Sequence, residues 1–398
     1  MPAHWRRTEY QAKAVRQPND PLKILVLTSS TGGGHDSRAL ALRLWAESDE
    51  AKSAGLEAEV RIERPLENGS RLYGFGTWLY NAIQKTCPAL HKVYFPFLEK
   101  ANLHRRSFGI LGAKRFKQMV AEFAPEAVVS VHAHLNHGYC SLVRQAMPAK
   151  PPAFVIYCGE LADGVGFSRH WINPEADLFT GPLEETCEAA RSRGMSEEKI
   201  FRAGFLLRPP FFSKLPPDEQ ANFVRRKWNL DPSRPLLVLG TGANGVNRHL
   251  KAVAPYWSLG KPGQVVALCG SNERTLRALN ALPGSLGFEL RALPTIEAEE
   301  MAPLLRSANL LFARAGAGTT AEAIVCGTPM LFDVSGGIMP QEQNNLNLWE
   351  RRTGHCPLAS DPSSVAEIAA VGTRSVPYAS DETPLRLLKK LRSIIPAR

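Results

Sequence analysis

The stretch Leu310-Leu-Phe-Ala-Arg-Ala-Gly-Ala-Gly-Thr-Thr-Ala-Glu-Ala-Ile-Val-Cys-Gly-Thr-Pro329 decides the fold. It opens on a short apolar run, Leu310–Phe312, that reads as a buried strand. Gly316 and Gly318 permit a tight turn, and Thr319 or Thr320 stands where a helix takes its cap or first-turn residue. Gly327-Thr-Pro329 ends that helix and starts another strand. The free N–H groups and positive end of such a helix suit a diphosphate. Glu322, one turn in, is placed to accept hydrogen bonds from a ribose diol. The plain alternative is a strand–turn–helix unit whose glutamate faces solvent.

The same rhythm recurs upstream. The strand Pro235–Leu239 is followed by Gly240-Thr-Gly-Ala-Asn-Gly245, a formal GxGxxG. A nicotinamide dinucleotide site also needs an acid at the end of the next strand, and Val265–Cys269 runs into Gly270-Ser-Asn272 without one. That leaves a loop that brings Gly242, Asn244 and Gly245 to a donor's phosphates, or a plain tight turn. Phe288–Leu293 and Pro329–Asp333 read as further strands.

The amino-terminal half repeats the pattern. A strand at Lys23–Thr28 leads into Ser29-Ser-Thr-Gly-Gly-Gly-His35, then a helix over Asp36–Ala54 with Leu40, Leu44 and Trp45 on one face. Ala58–Ile62, Ala127–His132 and Pro152–Cys158 read as strands. Alternating strands and helices predict parallel α/β sheets. The Pro-rich stretch Phe205–Pro217 breaks the rhythm as a linker, followed by a helix at Asp218–Trp228. Pro384–Ile395 is a basic amphipathic helix, with Leu385, Leu388 and Leu391 at helical spacing. The expected division is 1–207, a linker 208–234, a second domain 235–372 and a terminal helix 373–398. Two doubly wound, Rossmann-like domains would face each other across a ligand cleft.

Composition narrows the class. Of 398 residues, 44% are hydrophobic and 22% charged, as in a globular enzyme. The seven cysteines form no CxxC pair, which argues for a reducing compartment. Residues 1–20 lack the apolar core of a signal peptide, and no run reaches the roughly 18 apolar residues of a membrane span. The net charge is +10, and residues 61–120 concentrate it, with 11 Lys/Arg, three acids and nine aromatics. That mixture suits an anionic bilayer surface; the other readings are a solvated basic face over core aromatics, or nucleic acid, for which no motif is present.

Several side chains carry candidate chemistry. His35 at the glycine-rich turn is the first choice of general base, since imidazole titrates near neutral pH. Its alternative is a helix-start histidine that orders the loop or binds an acceptor's phosphate. Asp36 reads as a solvated first-turn acid, and Glu160 is the second base candidate. His132 and His134 share one side of a strand and His137 can turn toward them. A metal reading lacks a completing carboxylate or cysteine, leaving an acceptor-lining role or ordinary packing. Gly181–Thr186 and the acids near 297–300 read as solvated surface.

Arg314-x-Gly-Ala-x-Thr-x-x-Glu322, then Gly327-x-Pro329, resembles glycosyltransferase family 28, which includes the lipid II-forming GlcNAc transferase and the monogalactosyl- and glucosyl-diacylglycerol synthases. Thr31-Gly-Gly-Gly-His35 is similar to that family's TGGGH loop. Ser130-Val-His-x-x-x-x-His137, Gly240–Gly245 with Cys269-Gly-Ser-Asn272, and Pro340-Gln-Glu-Gln-Asn-Asn345 resemble its diacylglycerol branch. The likeness spans about 24–360. Ser30 stands where that branch often has Asp, Gly-Ala-Gly-Thr replaces Gly-Pro-Gly-Thr, Arg314 matches the peptidoglycan branch, and Gly159-Glu160-Leu161 replaces Thr-Asp-Leu. The resemblance implies a GT-B fold, an inverting single displacement and no metal or other cofactor. It implies Glu322 at the ribose, Gln341 and Glu342 at the transferred sugar, and Ala315, Gly316, Gly318 and Thr319 at the diphosphate with Arg314 assisting. His35 falls at the reaction centre, with Gly33, Gly34, His134, His137 and Trp171 on the acceptor side.

The expectation is thus a UDP-sugar:lipid hexosyltransferase on the cytoplasmic face of a membrane, docked through 61–120. The alternatives are a UDP-sugar 2-epimerase of similar fold and a catalytically silent nucleotide-sugar-binding protein.

Overall fold

The computed structural model describes residues 21–86, 99–100, 104–213, 215–241, 248–259, 263–282, 288–365, 374–378 and 382–395. They form two parallel sheets. The first contains β1 (Leu22–Leu27), β2 (Ala58–Glu63), β3 (Ala127–Ser130), β4 (Ala153–Tyr157), β5 (Leu178–Gly181) and β6 (Ile200–Arg202), in the order β2-β1-β3-β4-β5-β6. The second contains β7 (Leu236–Leu239), β8 (Gln264–Leu268), β9 (Glu289–Leu293), β10 (Leu310–Ala313), β11 (Met330–Asp333) and β12 (Leu358–Ala359), in the order β12-β11-β10-β7-β8-β9. Most central strands are buried along their length, as expected of sheets covered by helices on both faces.

The strand orders fix where a ligand can sit. In the first sheet the direction of winding reverses between β1 and β3; in the second it reverses between β7 and β10. Loops leaving the carboxyl ends at such a reversal part and open a crevice. The turn after β1, the loop after β3 and the turn after β10 therefore border crevices.

Several expectations change. The first helix spans Gly34–Ala46 and stops, and a new short helix starts at Asp49 because Ser48 caps it. Its core face is Ala39, Leu42, Trp45 and Ala46, while Leu40 lines the cleft. Gly181–Thr186 is not solvated surface. Gly181 ends β5, Leu183 is buried, and the Thr186 hydroxyl donates to Glu160 O at 2.8 Å. The strands β5, β6 and β12 are only four, three and two residues long, too short to show a period.

The Pro-rich connection is a packed element. Phe205, Leu207 and Phe211 join the same apolar cluster as Leu161, Leu183, Leu305 and Ile324. Trp45 Nε1 donates to Leu207 O at 2.8 Å and Tyr157 Oη to Gly204 O at 2.9 Å. The carboxy-terminal helix Leu385–Ile394 returns to the first half, where Leu387, Leu388 and Leu391 pack with Leu22, Ile24 and Val26.

Candidate active site

A cavity of about 1280 Å³ lies where the two crevices face each other. Gly32–His35, His132, His134, Glu160 and Trp171 line it from the first half; Arg314, Gly316–Thr319, Glu322 and Gln341 line it from the second.

The turn after β1 is built on buried polar anchors. Gly32 and Gly33 have φ of 74° and 77°, the left-handed region that glycine enters without a Cβ clash. Thr28 Oγ1 and Ser30 Oγ donate to Asp36 at 3.0 and 2.7 Å, and Arg64 Nε donates to it at 3.1 Å. Asp36 is thus an anchor of the turn, not the solvated acid expected. His35 opens the helix, and its Nδ1 lies 2.6 Å from Val131 O. A carbonyl only accepts, so Nδ1 carries the proton and Nε2 keeps its lone pair. Burial, with Arg38 nearby, holds the imidazole down at about 4, so it is neutral at pH 7.

Around it stands a histidine row. The rings of His35 and His132 lie 4.5 Å apart, His132 and His134 5.7 Å, and His134 and His170 4.7 Å. Burial lowers His132 well below its ordinary value and His134 to about 3, and each neighbouring ring resists a second charge. Thr31 Oγ1 meets His132 Nε2 at 2.9 Å. His137 packs edge-on to His170, ring centres 6.2 Å apart, and lines a separate cavity with Arg105, Arg106 and Ser141 instead of the cleft. Among the described residues no group of three His, Cys, Asp or Glu side chains is arranged to hold a metal ion. Trp171 is buried beside His35, ring centres 6.2 Å apart. Burial raises Glu160 to about 7, against the opposing pull of Arg38 and a hydrogen bond with Trp171.

The second half presents an open helix end. Gly316 is the N-cap residue of the helix Ala317–Cys326, in an extended conformation with no side-chain cap. Neither Thr319 nor Thr320 caps it; Thr320 is buried in the first turn and its hydroxyl has no hydrogen-bond partner among the described residues. A Cβ at Gly316 or Gly318 would meet nothing within 4 Å, and Gly316–Thr319 line the cavity, so the uncapped helix end borders it. Ala315 is buried behind the turn, and Asn345 Nδ2 donates to its carbonyl at 2.7 Å. Glu322 borders the cavity with no hydrogen-bond partner among the described residues, and burial raises it to about 7, opposed by Arg208. Gln341 also borders it, its Oε1 buried and unpartnered. Glu342 is 3% exposed and turned to Arg314, which donates through Nε at 2.9 Å and Nη2 at 2.5 Å. Met339 N adds a third donor at 2.9 Å. Arg314 and Glu342 therefore occupy each other. Gly242, Asn244 and Gly245 lie outside the described residues.

Two features escaped the sequence reading. Arg208, in the supposed linker, lines the cleft; its Nε is buried without a partner among the described residues and its Nη1 donates to Glu297 at 3.2 Å. A lone cation inside the apolar run Phe205–Phe212 was the available signal. The first half also crosses the cleft: a Cβ at Gly166 would stand 2.2 Å from Gln341 N, so the two backbones touch there.

The models of two known families match this chain. Residues 64–206 match the monogalactosyldiacylglycerol (MGDG) synthase model, and residues 236–350 match the glycosyltransferase family 28 C-terminal domain. Monogalactosyldiacylglycerol synthase 1 of Arabidopsis thaliana is 23% identical over 88% of the chain, which spans 64% of that relative's length. The processive diacylglycerol beta-glucosyltransferase of Bacillus subtilis is 22% identical over 84% of the chain and 82% of its own length. Among solved structures, MurG of Acinetobacter baumannii superposes with a TM-score of 0.51 at 14% identity over 94% of this chain and 95% of its own. A putative UDP-N-acetylglucosamine 2-epimerase from Listeria monocytogenes reaches 0.53 at 13% identity, over 94% and 96%. At these identities the structures show the fold alone, the two-domain GT-B arrangement.

Proposed function

We propose, from the matches of residues 64–206 to the MGDG synthase model and of 236–350 to the glycosyltransferase family 28 C-terminal domain, that this chain is a glycosyltransferase of that kind and transfers a hexose from a UDP-sugar to the hydroxyl of a diacylglycerol-type lipid. One observation supports this most directly: a single cavity joins a histidine with a free Nε2 lone pair to an uncapped helix end beside an unpartnered glutamate. The acceptor oxygen attacks the anomeric carbon opposite the diphosphate, the carbon–oxygen bond to UDP breaks, and the configuration inverts. The acceptor's proton passes to His35 Nε2. The charge gathering on the leaving diphosphate meets the N–H groups of Ala317, Gly318 and Thr319, with no metal invoked. Glu322 takes the ribose hydroxyls and Gln341 the transferred sugar.

Glu160 is the competing base, and its raised carboxyl titrates nearer neutrality than His35. His35 is preferred because its tautomer presents a lone pair.

The acceptor reaches the cleft from a bilayer. Phe75 and Trp78 stack at 5.6 Å on the helix Arg71–Thr86 and are exposed, as are Leu72, Phe108 and Leu111. Arg71, Arg105 and Arg106 lie close by in sequence, an anionic-surface combination. Of the other aromatics expected in the patch, Phe116 is buried in the core and Tyr73 and Tyr80 border the cleft, while residues 87–98 and 101–103 lie outside the described residues. No described helix is long and apolar enough to cross a membrane.

Purified protein is incubated with radiolabelled UDP-glucose, UDP-galactose or UDP-N-acetylglucosamine and diacylglycerol-containing vesicles. Label entering the organic phase is the expected result and identifies the sugar. An isomerised UDP-sugar left in the aqueous phase favours epimerase chemistry, and UDP binding without either product favours a silent binding protein.

A further inference from the structure

The helix Arg71–Thr86 has two occupied faces. Tyr73, Gly76, Thr77 and Tyr80 border the active cleft, while Phe75 and Trp78 stand out to solvent, 57% and 61% exposed. Asn81, one turn past Thr77, reaches the turn that carries His35. Its Oδ1 accepts from Gly32 N at 2.9 Å, and its Nδ2 donates to Ser30 O at 2.8 Å. Only one orientation of the carboxamide satisfies both, since a backbone N–H only donates and a carbonyl only accepts.

From the other side, Glu67 accepts from Ser29 Oγ and Ser30 N, both at 2.8 Å. The turn is therefore gripped between β1 and a helix whose outer face is apolar. Gly32 and Gly33, both in the left-handed region, place few restraints of their own on the turn's path, so its position rests on these side-chain bonds. His35 follows within three residues of Gly32, and a displacement near 1 Å at a reacting group costs on the order of 100-fold in rate.

Resting on the reading of His35 as proton acceptor, we propose that Asn81 is a positioning residue for the reaction. It sets the Thr31–Gly34 turn and so the place of His35 Nε2, and it couples that turn to the seating of its own helix on the bilayer. Asn81 touches no reacting atom; it acts through the backbone of Ser30 and Gly32. Both ends of the carboxamide are needed, because a carboxylate keeps the bond from Gly32 N but sets an oxygen against Ser30 O.

The test uses the full chain as wild type, Asn81→Ala, Asn81→Asp and Asn81→Gln. Transfer is measured alongside UDP affinity, the thermal midpoint, and hydrogen exchange of the segment 28–40 with and without mixed phosphatidylcholine–phosphatidylglycerol vesicles. Asn81→Ala is expected to lower kcat by about 10- to 100-fold, with KM for the UDP-sugar and UDP affinity within about twofold of wild type. Asn81→Gln recovers part of the rate and Asn81→Asp does not. Vesicles slow exchange of 28–40 in the wild type but not in Asn81→Ala. The proposal is overturned by wild-type kcat in Asn81→Ala, by a loss confined to KM for the donor, by a rate loss that follows the thermal midpoint across all three variants, or by exchange in 28–40 that ignores Asn81. A wild type that transfers no sugar while its 28–40 exchange depends on Asn81 and vesicles overturns the transferase reading and leaves the coupling standing.

Discussion

After β1 the chain turns through Gly32 and Gly33 at φ of 74° and 77°; after β10 it turns through Gly316 at φ −66°, an angle any residue adopts. Both turns leave a strand at a winding reversal and open a helix onto one cavity. The first needs glycine for its backbone path and is filled around by Asp36, Glu67 and Asn81. The second needs glycine for vacancy: a Cβ at Gly316 or Gly318 meets no atom within 4 Å. One turn is a finished piece of structure that aims a side chain. The other leaves its helix end without a side-chain cap on the cavity wall, where the proposed function seats the donor's diphosphate.

The sharpest way to break this contrast is to remove the aimed side chain. His35→Ala is expected to lose about 10²- to 10⁴-fold in kcat with UDP affinity unchanged; a near wild-type rate, read by single-turnover transfer, hands the base role to Glu160. The pH profile separates the two candidates as well. With His35 at about 4, kcat at saturating donor stays level from pH 5.5 to 8; with Glu160 at about 7, it falls as pH drops through neutrality.

The next test exchanges the two kinds of glycine. Gly33→Ala forces a Cβ into the left-handed region and should cost about 1–2 kcal/mol of stability. Gly316→Ala should leave the unfolding free energy within about 1 kcal/mol while weakening UDP binding roughly tenfold or more, by occupying the phosphates' approach. Denaturant melts and UDP titrations on both variants read the difference.

Smaller effects follow from titration. Glu322 is protonated below about 7, and the ionised form is the better acceptor for a ribose diol. UDP affinity should rise several-fold from pH 6 to 8, and Glu322→Gln should flatten that slope. The first half should also be the more acid-sensitive. Burial lowers His35, His104, His132, His134, His137 and His170 there, and His249 in the second half. Their folded values lie below the unfolded 6.5, so the unfolded chain binds more protons; stability is full above pH 6.5 and is lost as pH falls toward 4. Hydrogen exchange at pH 5 should therefore rise first around β1 and β3.

Most of the strands were legible because buried parallel strands are continuous apolar runs, as at Leu236–Leu239 and Leu310–Ala313. The glycine-rich turns and Glu322 were legible because each lies next to its strand in sequence. Arg208 and Asn81 were not: each acts on a partner distant in the chain, and nothing local marks an arginine or asparagine for that. Glu342 lies on the cavity wall beside Gln341, and the fold adds what its motif does not show: both its oxygens accept from Arg314.

By itself the sequence determined two parallel α/β halves, the turns that leave β1 and β10, and the residue types that can meet a diphosphate and move a proton, because periodicity and turn chemistry are local. Only the tertiary structure decided that the two turns share one cavity, that Asp36 and Glu342 are spent on anchoring, and that the last helix closes onto the first sheet. Those outcomes depend on winding order and on which buried polar groups find each other.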